Sequence, residues 1–195
     1  IAYYERALMA ARASGAQDEE ARVLANLSVA HMNGGDEHQA LAYAEQQIAL
    51  SEQLLGEDSV AFMELLFVHG QTLSNGCRHA DALLSFERGV RIGERGVGPR
   101  LMLGYHLMGK SQALSGLGRA AEAIAPARRA VEIIDREQIP PADRWSVHAV
   151  LGKALVRAGQ SEEGRRILRN ALKELRAIGP TAQLNINAIE AVLRE

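Results

Sequence analysis

Residues 151–164 read LGKALVRAGQSEEG and place Gly152 and Gly164 on either side of a turn-like Ala158-Gly159-Gln160-Ser161. The same pattern recurs upstream at intervals of 41 or 42 residues. The position of Gly152 corresponds to Ser28, Gly70 and Ser111, and that of Gly164 to Ala40, Ala82 and Ala123. Two helices can approach closely only where bulky side chains are missing from their crossing point. The spacing therefore predicts four copies of an antiparallel helix pair.

The surrounding residues favour two helices in each copy. Apolar residues recur at helical spacing, as in Leu24 and Leu27, and no stretch alternates as a strand would. Ser59 and Ser161 are predicted N-caps, and Pro99 and Pro141 are predicted to begin helices. A further aliphatic column is expected to face the next copy and consists of Ile48, Val90, Val131 and Leu172. The sequence thus predicts an all-α, right-handed superhelical solenoid.

The period also sets the predicted boundaries. Residues 1–17 form the second helix of an incomplete copy, and residues 18–58, 59–98, 99–139 and 140–179 form copies one to four. Residues 180–195, with a helix over 181–194, form a cap. In copy three Gly109 is an alternative to Ser111 as the crossing residue, and Pro126 is expected to bend the second helix. Because the chain begins at Ile1 inside a predicted helix, we expect it to be a fragment of a larger protein.

The columns resemble tetratricopeptide repeats. Copy four carries Leu151-Gly152, Leu155, Gly159, Leu168 and Ala171, and copy two carries a similar set. The family's common unit has about 34 residues, so the longer period resembles the repeats of kinesin light chains. Similar long repeats occur in bacterial signalling proteins, including serine/threonine kinases. The resemblance implies a protein- or peptide-binding module in which the first helix of each pair lines a concave groove.

Composition excludes several classes of protein. The chain is 47% hydrophobic and 24% charged, as folded soluble proteins are. A formal net charge of −2 argues against nucleic-acid binding, and no apolar run approaches the ~20 residues of a membrane span. The single cysteine, Cys77, excludes an internal disulfide and fits a reducing compartment, so we expect a cytoplasmic location. No catalytic, metal or cofactor motif is present, so we expect neither an enzyme nor a cofactor.

Projection of the register onto the first helices predicts the groove-facing residues, because positions three and four apart share a helix face. Amides and cations among them suit an extended peptide backbone and a carboxylate, and Phe67, Tyr105 and Met108 suit an apolar side chain. The predicted ligand-binding residues are Arg22, Asn26, Glu64, Phe67, Gln71, Asn75, Tyr105, Met108, Gln112, Lys153 and Arg157.

Two other functions remain open at this stage. Residues 1–98 hold 7 basic and 14 acidic residues, whereas residues 99–195 hold 15 and 10. Such opposite charge suits self-association, in which the array is an assembly module or homo-oligomer. The third possibility is a sensor that closes around a small peptide or metabolite and acts on an attached output domain.

Overall fold

The computed structural model describes residues 1–137, 141–179 and 182–194, and within these ranges it contains ten helices and no strand. The all-α prediction is therefore confirmed. The helices are α1 (Ala2–Ser14), α2 (Gln17–Asn33), α3 (Glu37–Leu55), α4 (Val60–Asn75), α5 (His79–Glu94), α6 (Arg100–Gly116), α7 (Ala120–Arg136), α8 (Pro141–Arg157), α9 (Ser161–Ile178) and α10 (Gln183–Arg194). Predictions that concern Pro140 and Thr181 lie outside the described residues.

The chain divides into two compact units, and the first comprises Ile1–His69. In this unit α2 and α3 are antiparallel partners, since only residues 34–36 connect them and they pack along their lengths. Leu8 of α1 joins Val23, Leu24 and Leu27 of α2 in one buried cluster. The side chain of Asp36 caps α3 by accepting a hydrogen bond from the Gln39 backbone N–H at 3.1 Å.

The second unit comprises Gly70–Glu195 and holds the end of α4 together with α5 to α10. Here α6 pairs with α7 and α8 pairs with α9, while α7 and α6 both contact α8. Helix α10 packs on α9 and α8. Ile186 and Ile189 of α10 are buried in one cluster with Leu168 and Leu175 of α9. The last helix therefore covers the apolar face of α9, as a capping helix does.

Small residues lie at the crossings of paired helices in this second unit. The Ser111 hydroxyl donates to the Ala123 backbone carbonyl at 2.9 Å, so these two positions of α6 and α7 face each other. A Cβ atom on Gly164 would lie 2.8 Å from the Gly152 carbonyl oxygen, so the α8–α9 crossing is closer still. Ser111 is thus the crossing residue of copy three, and the Gly109 alternative is wrong.

Gly109 instead accommodates an aromatic ring from the preceding pair. A Cβ atom there would lie 2.3 Å from Cε1 of Phe86, and one on Gly70 would lie 2.8 Å from the same atom. The buried Phe86 of α5 therefore fits against glycines of both α4 and α6. Similarly, the fully buried His106 ring of α6 occupies the space that Gly89 leaves on α5. Glycines on one helix therefore leave space for aromatic rings of the neighbouring helix.

Several helix starts differ from the predictions. Ser59 is an N-cap as predicted, because its hydroxyl accepts a hydrogen bond from the Phe62 backbone N–H at 3.1 Å. Ser161 is not, since it is the first residue of α9 and Gln160 precedes it as the N-cap without a side-chain bond. Pro141 begins α8, and Pro99 stands immediately before α6. Among the described residues, helix bounds fall within the predicted copies, except that α2 begins at position 17.

Candidate ligand-binding cleft

Three successive first helices of the second unit border one cleft of about 490 Å³, which we call the α6–α8 cleft. Four of the predicted ligand-binding residues line it: Asn75 at the end of α4, Gln112 of α6, and Lys153 and Arg157 of α8. The remaining lining residues are Ser74, His79, Ser115, Gly116, Trp145, Ser146, Ala149, Val150 and Asn185. The volume lies within the range of ligand pockets, ~300–1,000 Å³.

Helix spacing explains why the polar residues of α8 converge on this cleft. Ala149, Lys153 and Arg157 are each four residues apart and therefore share one face. The other faces of α8 are held by packing, because Leu151 and Leu155 are buried. Gly116 ends α6 without a side chain, and the His79 ring occupies the space where a Cβ atom would stand, 2.5 Å away. Packing of α8 against its neighbours thus fixes the polar face toward the cleft.

The cleft is positively charged. Among the described residues that line it, none is acidic, and neither Lys153 nor Arg157 has an ion-pair partner in the described part of the chain. Burial lowers the pKa of the half-buried Lys153 ammonium below its ordinary value, and the neighbouring Arg157 charge lowers it further. Two uncompensated cations beside the amides of Asn75, Gln112 and Asn185 make a site suited to a ligand that carries negative charge.

Three other predicted residues of the second unit lie outside the cleft lining. Gln71 is exposed on α4, one turn before Asn75. Tyr105 is partly buried, and Met108 is only 8% exposed. The Met108 sulfur is 4.0 Å from the Ser146 hydroxyl, so Met108 contributes to the packing of α6 on α8. It is therefore less accessible to a ligand than the sequence predicted.

The remaining four predicted residues belong to the first unit. Arg22 is exposed and forms an ion pair with Glu19 at 2.6 Å, one turn earlier on α2. The hydrogen bond that the Arg22 guanidinium donates to the Glu19 carboxylate raises the pKa of Arg22. Asn26 and Phe67 are partly buried and Glu64 is exposed. Arg22 is already neutralised by its neighbour, so it is a weaker candidate for an anionic ligand than the cations of the α6–α8 cleft.

The structure adds lining residues that the first-helix register did not select. His79 begins a second helix, and Asn185 lies on α10, outside the repeat. Trp145 was not among the predicted ligand-binding residues either, yet it lines the cleft one turn before Ala149. The predicted register covered only the first helices of the copies, so it could not include His79 or Asn185. These two residues reach the cleft because of how neighbouring helices pack.

Two kinds of feature are absent from the described residues. No group of three or more histidine, cysteine, aspartate or glutamate side chains lies close enough to hold a metal ion within the part of the chain that the structure describes. Nor does any described helix combine the length and apolar character required to cross a bilayer.

Comparison with known sequences identifies one repeat directly. Residues 21–61 match the family model for a tetratricopeptide repeat. This segment runs from early in α2, through α3, to the first residues of α4. None of the curated proteins matches the chain in sequence.

Comparison with solved structures identifies the fold. The nearly identical TPR-like repeats of a Podosopora anserina protein described as a kinesin light chain share 16% identity, with a TM-score of 0.66 over 80% of this chain and 75% of that one. BtubC (BKLC) from P. vanneervenii shares 15% identity, with a TM-score of 0.69 over 83% of this chain and 65% of that one. The MamA protein shares 14%, with a TM-score of 0.55 over 90% and 91%.

Proposed function

Because the chain carries a tetratricopeptide repeat at residues 21–61 and has the fold of kinesin light chain-like repeat proteins, we propose that it is a non-catalytic protein-binding module. Proteins of this fold are in general interaction or scaffold modules. The finer proposal is that the α6–α8 cleft receives a peptide segment of a partner protein, with its acidic or terminal carboxylate on Lys153 and Arg157.

The observation that carries this proposal is the convergence of polar residues from α4, α6 and α8 on one cleft. Asn75, Gln112 and Asn185 carry amides, which both donate to and accept from a peptide backbone. An arginine guanidinium binds a carboxylate through two parallel hydrogen bonds, and a nearby ammonium adds a third donor. An extended peptide with a carboxylate at the α8 side would satisfy both sets of groups.

Binding can be measured through the chain's single tryptophan, Trp145, because it lines the cleft. We would titrate a pool of short random peptides that each contain two acidic residues, and a second pool with those residues changed to Asn and Gln. We expect the acidic pool to change Trp145 fluorescence at lower concentration than the neutral pool. Equal responses to both pools would contradict the role of the two cations.

Variants test the same residues. A charge-assisted hydrogen bond contributes about 1.5–3 kcal/mol, and each ~1.4 kcal/mol is tenfold in affinity. We therefore expect Lys153→Ala with Arg157→Ala to weaken binding of the acidic pool at least ~tenfold. The matched control, Arg100→Ala with Arg136→Ala, removes two exposed cations of the same unit that do not line the cleft. Equal losses in both pairs would refute the cleft as the binding site.

Attachment to a larger bacterial signalling protein, such as a serine/threonine kinase, stays a prediction from the repeat resemblance, and a cytoplasmic location stays a prediction from the single cysteine. Sequencing of the full-length gene product tests the first, because an adjoining kinase domain would be evident. An adjoining domain of another class would replace it.

A further inference from the structure

The two compact units carry opposite formal charges. Residues 1–69 contain 3 Lys or Arg and 11 Asp or Glu, a charge of −8, whereas residues 70–195 contain 19 and 13, a charge of +6. The overall charge of −2 conceals this separation. The boundary comes from the packing of the chain and not from a choice of sequence window, so the opposite charge is a property of folded units.

In the second unit, many cations form ion pairs, whereas three on one side of α9 do not. The pairs include Lys110 with Glu87, Arg119 with Glu122, Arg128 with Glu163, Arg129 with Glu94, Arg144 with Glu174 and, on α9 itself, Arg176 with Glu190. On α9, Arg166, Arg169 and Lys173 are exposed and form no ion pair among the described residues, although Glu162 and Glu163 lie at the same end of the helix as Arg166 and Arg169. They recur at i, i+3 and i+7 and so form one basic helix face, which we call the α9 face.

In the first unit, acidic residues outnumber the cations that could balance them. Two of its three cations are already paired, Arg12 with Glu20 at 2.7 Å and Arg22 with Glu19 at 2.6 Å. Only Arg6 is left to offset the remaining acidic residues. Exposed carboxylates occur on three helices of the unit, with Asp18 on α2, Glu37 on α3 and Glu64 on α4.

We propose that the α9 face binds the acidic first unit of a second copy of this chain. Like charges exclude contacts between two first units or between two α9 faces, whereas the unlike surfaces attract and steer encounter. Each copy carries one surface of either kind, so the interface is heterologous and each copy can engage two others. This association uses a surface separate from the α6–α8 cleft, since none of the three α9 residues lines that cleft.

Sedimentation velocity of the purified chain tests the proposal through its dependence on salt. Charges attract over a Debye length of about 30 Å at 0.01 M ionic strength and only about 3 Å at 1 M. We expect the average mass to rise above the 21.1 kDa monomer with protein concentration at low ionic strength, and to return to it at high ionic strength. A monomer under both conditions would overturn the proposal.

Charge reversal locates the surface. The triple variant Arg166→Glu, Arg169→Glu, Lys173→Glu is expected to stay monomeric at low ionic strength. The control changes three exposed cations on α5, α6 and α7 and reads Arg91→Glu, Arg100→Glu, Arg136→Glu. It alters the net charge equally and is expected to retain association. Loss of association in the control as well would show that no particular face is used.

Complementation distinguishes a real interface from misfolding. A second variant, Asp18→Lys, Glu37→Lys, Glu64→Lys, is expected to be monomeric alone. In a mixture of the two variants, the second variant still has the unchanged α9 face and the α9 variant still has the unchanged first unit. These two surfaces can bind each other, so a 1:1 complex is expected. A mixture that stays monomeric refutes the proposal. The proposal is also refuted if the α9 face binds polyglutamate but the chain does not self-associate, because the α9 face would then bind a different acidic partner.

Discussion

Replacement of Gly164 with alanine is expected to destabilise the second unit by about 2 kcal/mol. The added Cβ atom would lie 2.8 Å from the Gly152 carbonyl oxygen and 2.9 Å from the Val156 backbone nitrogen. Both contacts are to backbone, so α8 and α9 must separate. Overpacking of this kind costs about 1–3 kcal/mol, and contacts on two backbone atoms place it near the upper value. Better helix propensity offsets about 1 kcal/mol.

Thermal unfolding followed by circular dichroism and by Trp145 fluorescence measures the effect, since Trp145 lies on α8. In a chain of this size 1 kcal/mol corresponds to about 2–4 °C, so we expect a decrease of about 4–8 °C. The control is Gly34→Ala, where φ is −82° and the nearest neighbours of a Cβ atom are 3.4 Å away. A higher melting temperature for Gly164→Ala would refute the reasoning, because helix propensity would then outweigh the close crossing.

Three further changes test other features. Lys153→Met should raise the free energy of unfolding at neutral pH, because the lowered pKa of Lys153 means that folding disfavours its charged form. This gain should shrink as the pH approaches 10.5, where the lysine of the unfolded chain also loses its proton. Denaturant titrations at several pH values measure the gain, and a gain that does not change with pH would contradict the reasoning. Cys77 has a left-handed backbone conformation, with φ 58°, and the equivalent turn of copy three has Gly118 at this position. We therefore expect Cys77→Gly to stabilise the protein by about 0.5–1 kcal/mol and Gly118→Ala to destabilise it by at least as much. Changes of melting temperature with the opposite signs would contradict this. Pro126 lies inside α7 and has no N–H to donate to the Glu122 carbonyl. Pro126→Ala should therefore stabilise the protein by up to about 3 kcal/mol, measured by urea unfolding. A lower urea midpoint than that of the unchanged protein would contradict this.

The helix pairs were predictable because their signal repeats. Small residues at the columns of Ser111 and Ala123 report a local steric requirement that each copy must meet, and the hydrogen bond between them shows that the columns do face each other. The choice between Gly109 and Ser111 could not be settled from sequence. Both residues are small. The contact between Ser111 and Ala123 identifies the crossing residue, and the position of the Phe86 ring shows that Gly109 makes room for a neighbouring helix instead.

The candidate cleft was predicted in part for a similar reason. Lys153 and Arg157 follow from helix periodicity alone, and both line the α6–α8 cleft together with Ala149. Accessibility does not follow from periodicity, and Met108 was therefore selected although it is buried against α8. Asn185 belongs to a helix outside the repeat, so no column could have pointed to it.

The ring of Phe86, lodged against Gly70 and Gly109, limits how such an array can evolve. A duplicated or recombined copy that brings the phenylalanine without a glycine at the two neighbouring positions would insert a ring where no space exists. Conversely, a copy with both glycines and no ring would leave a void. We therefore expect these three positions, which lie on three different helices, to change together when copies of the repeat are exchanged.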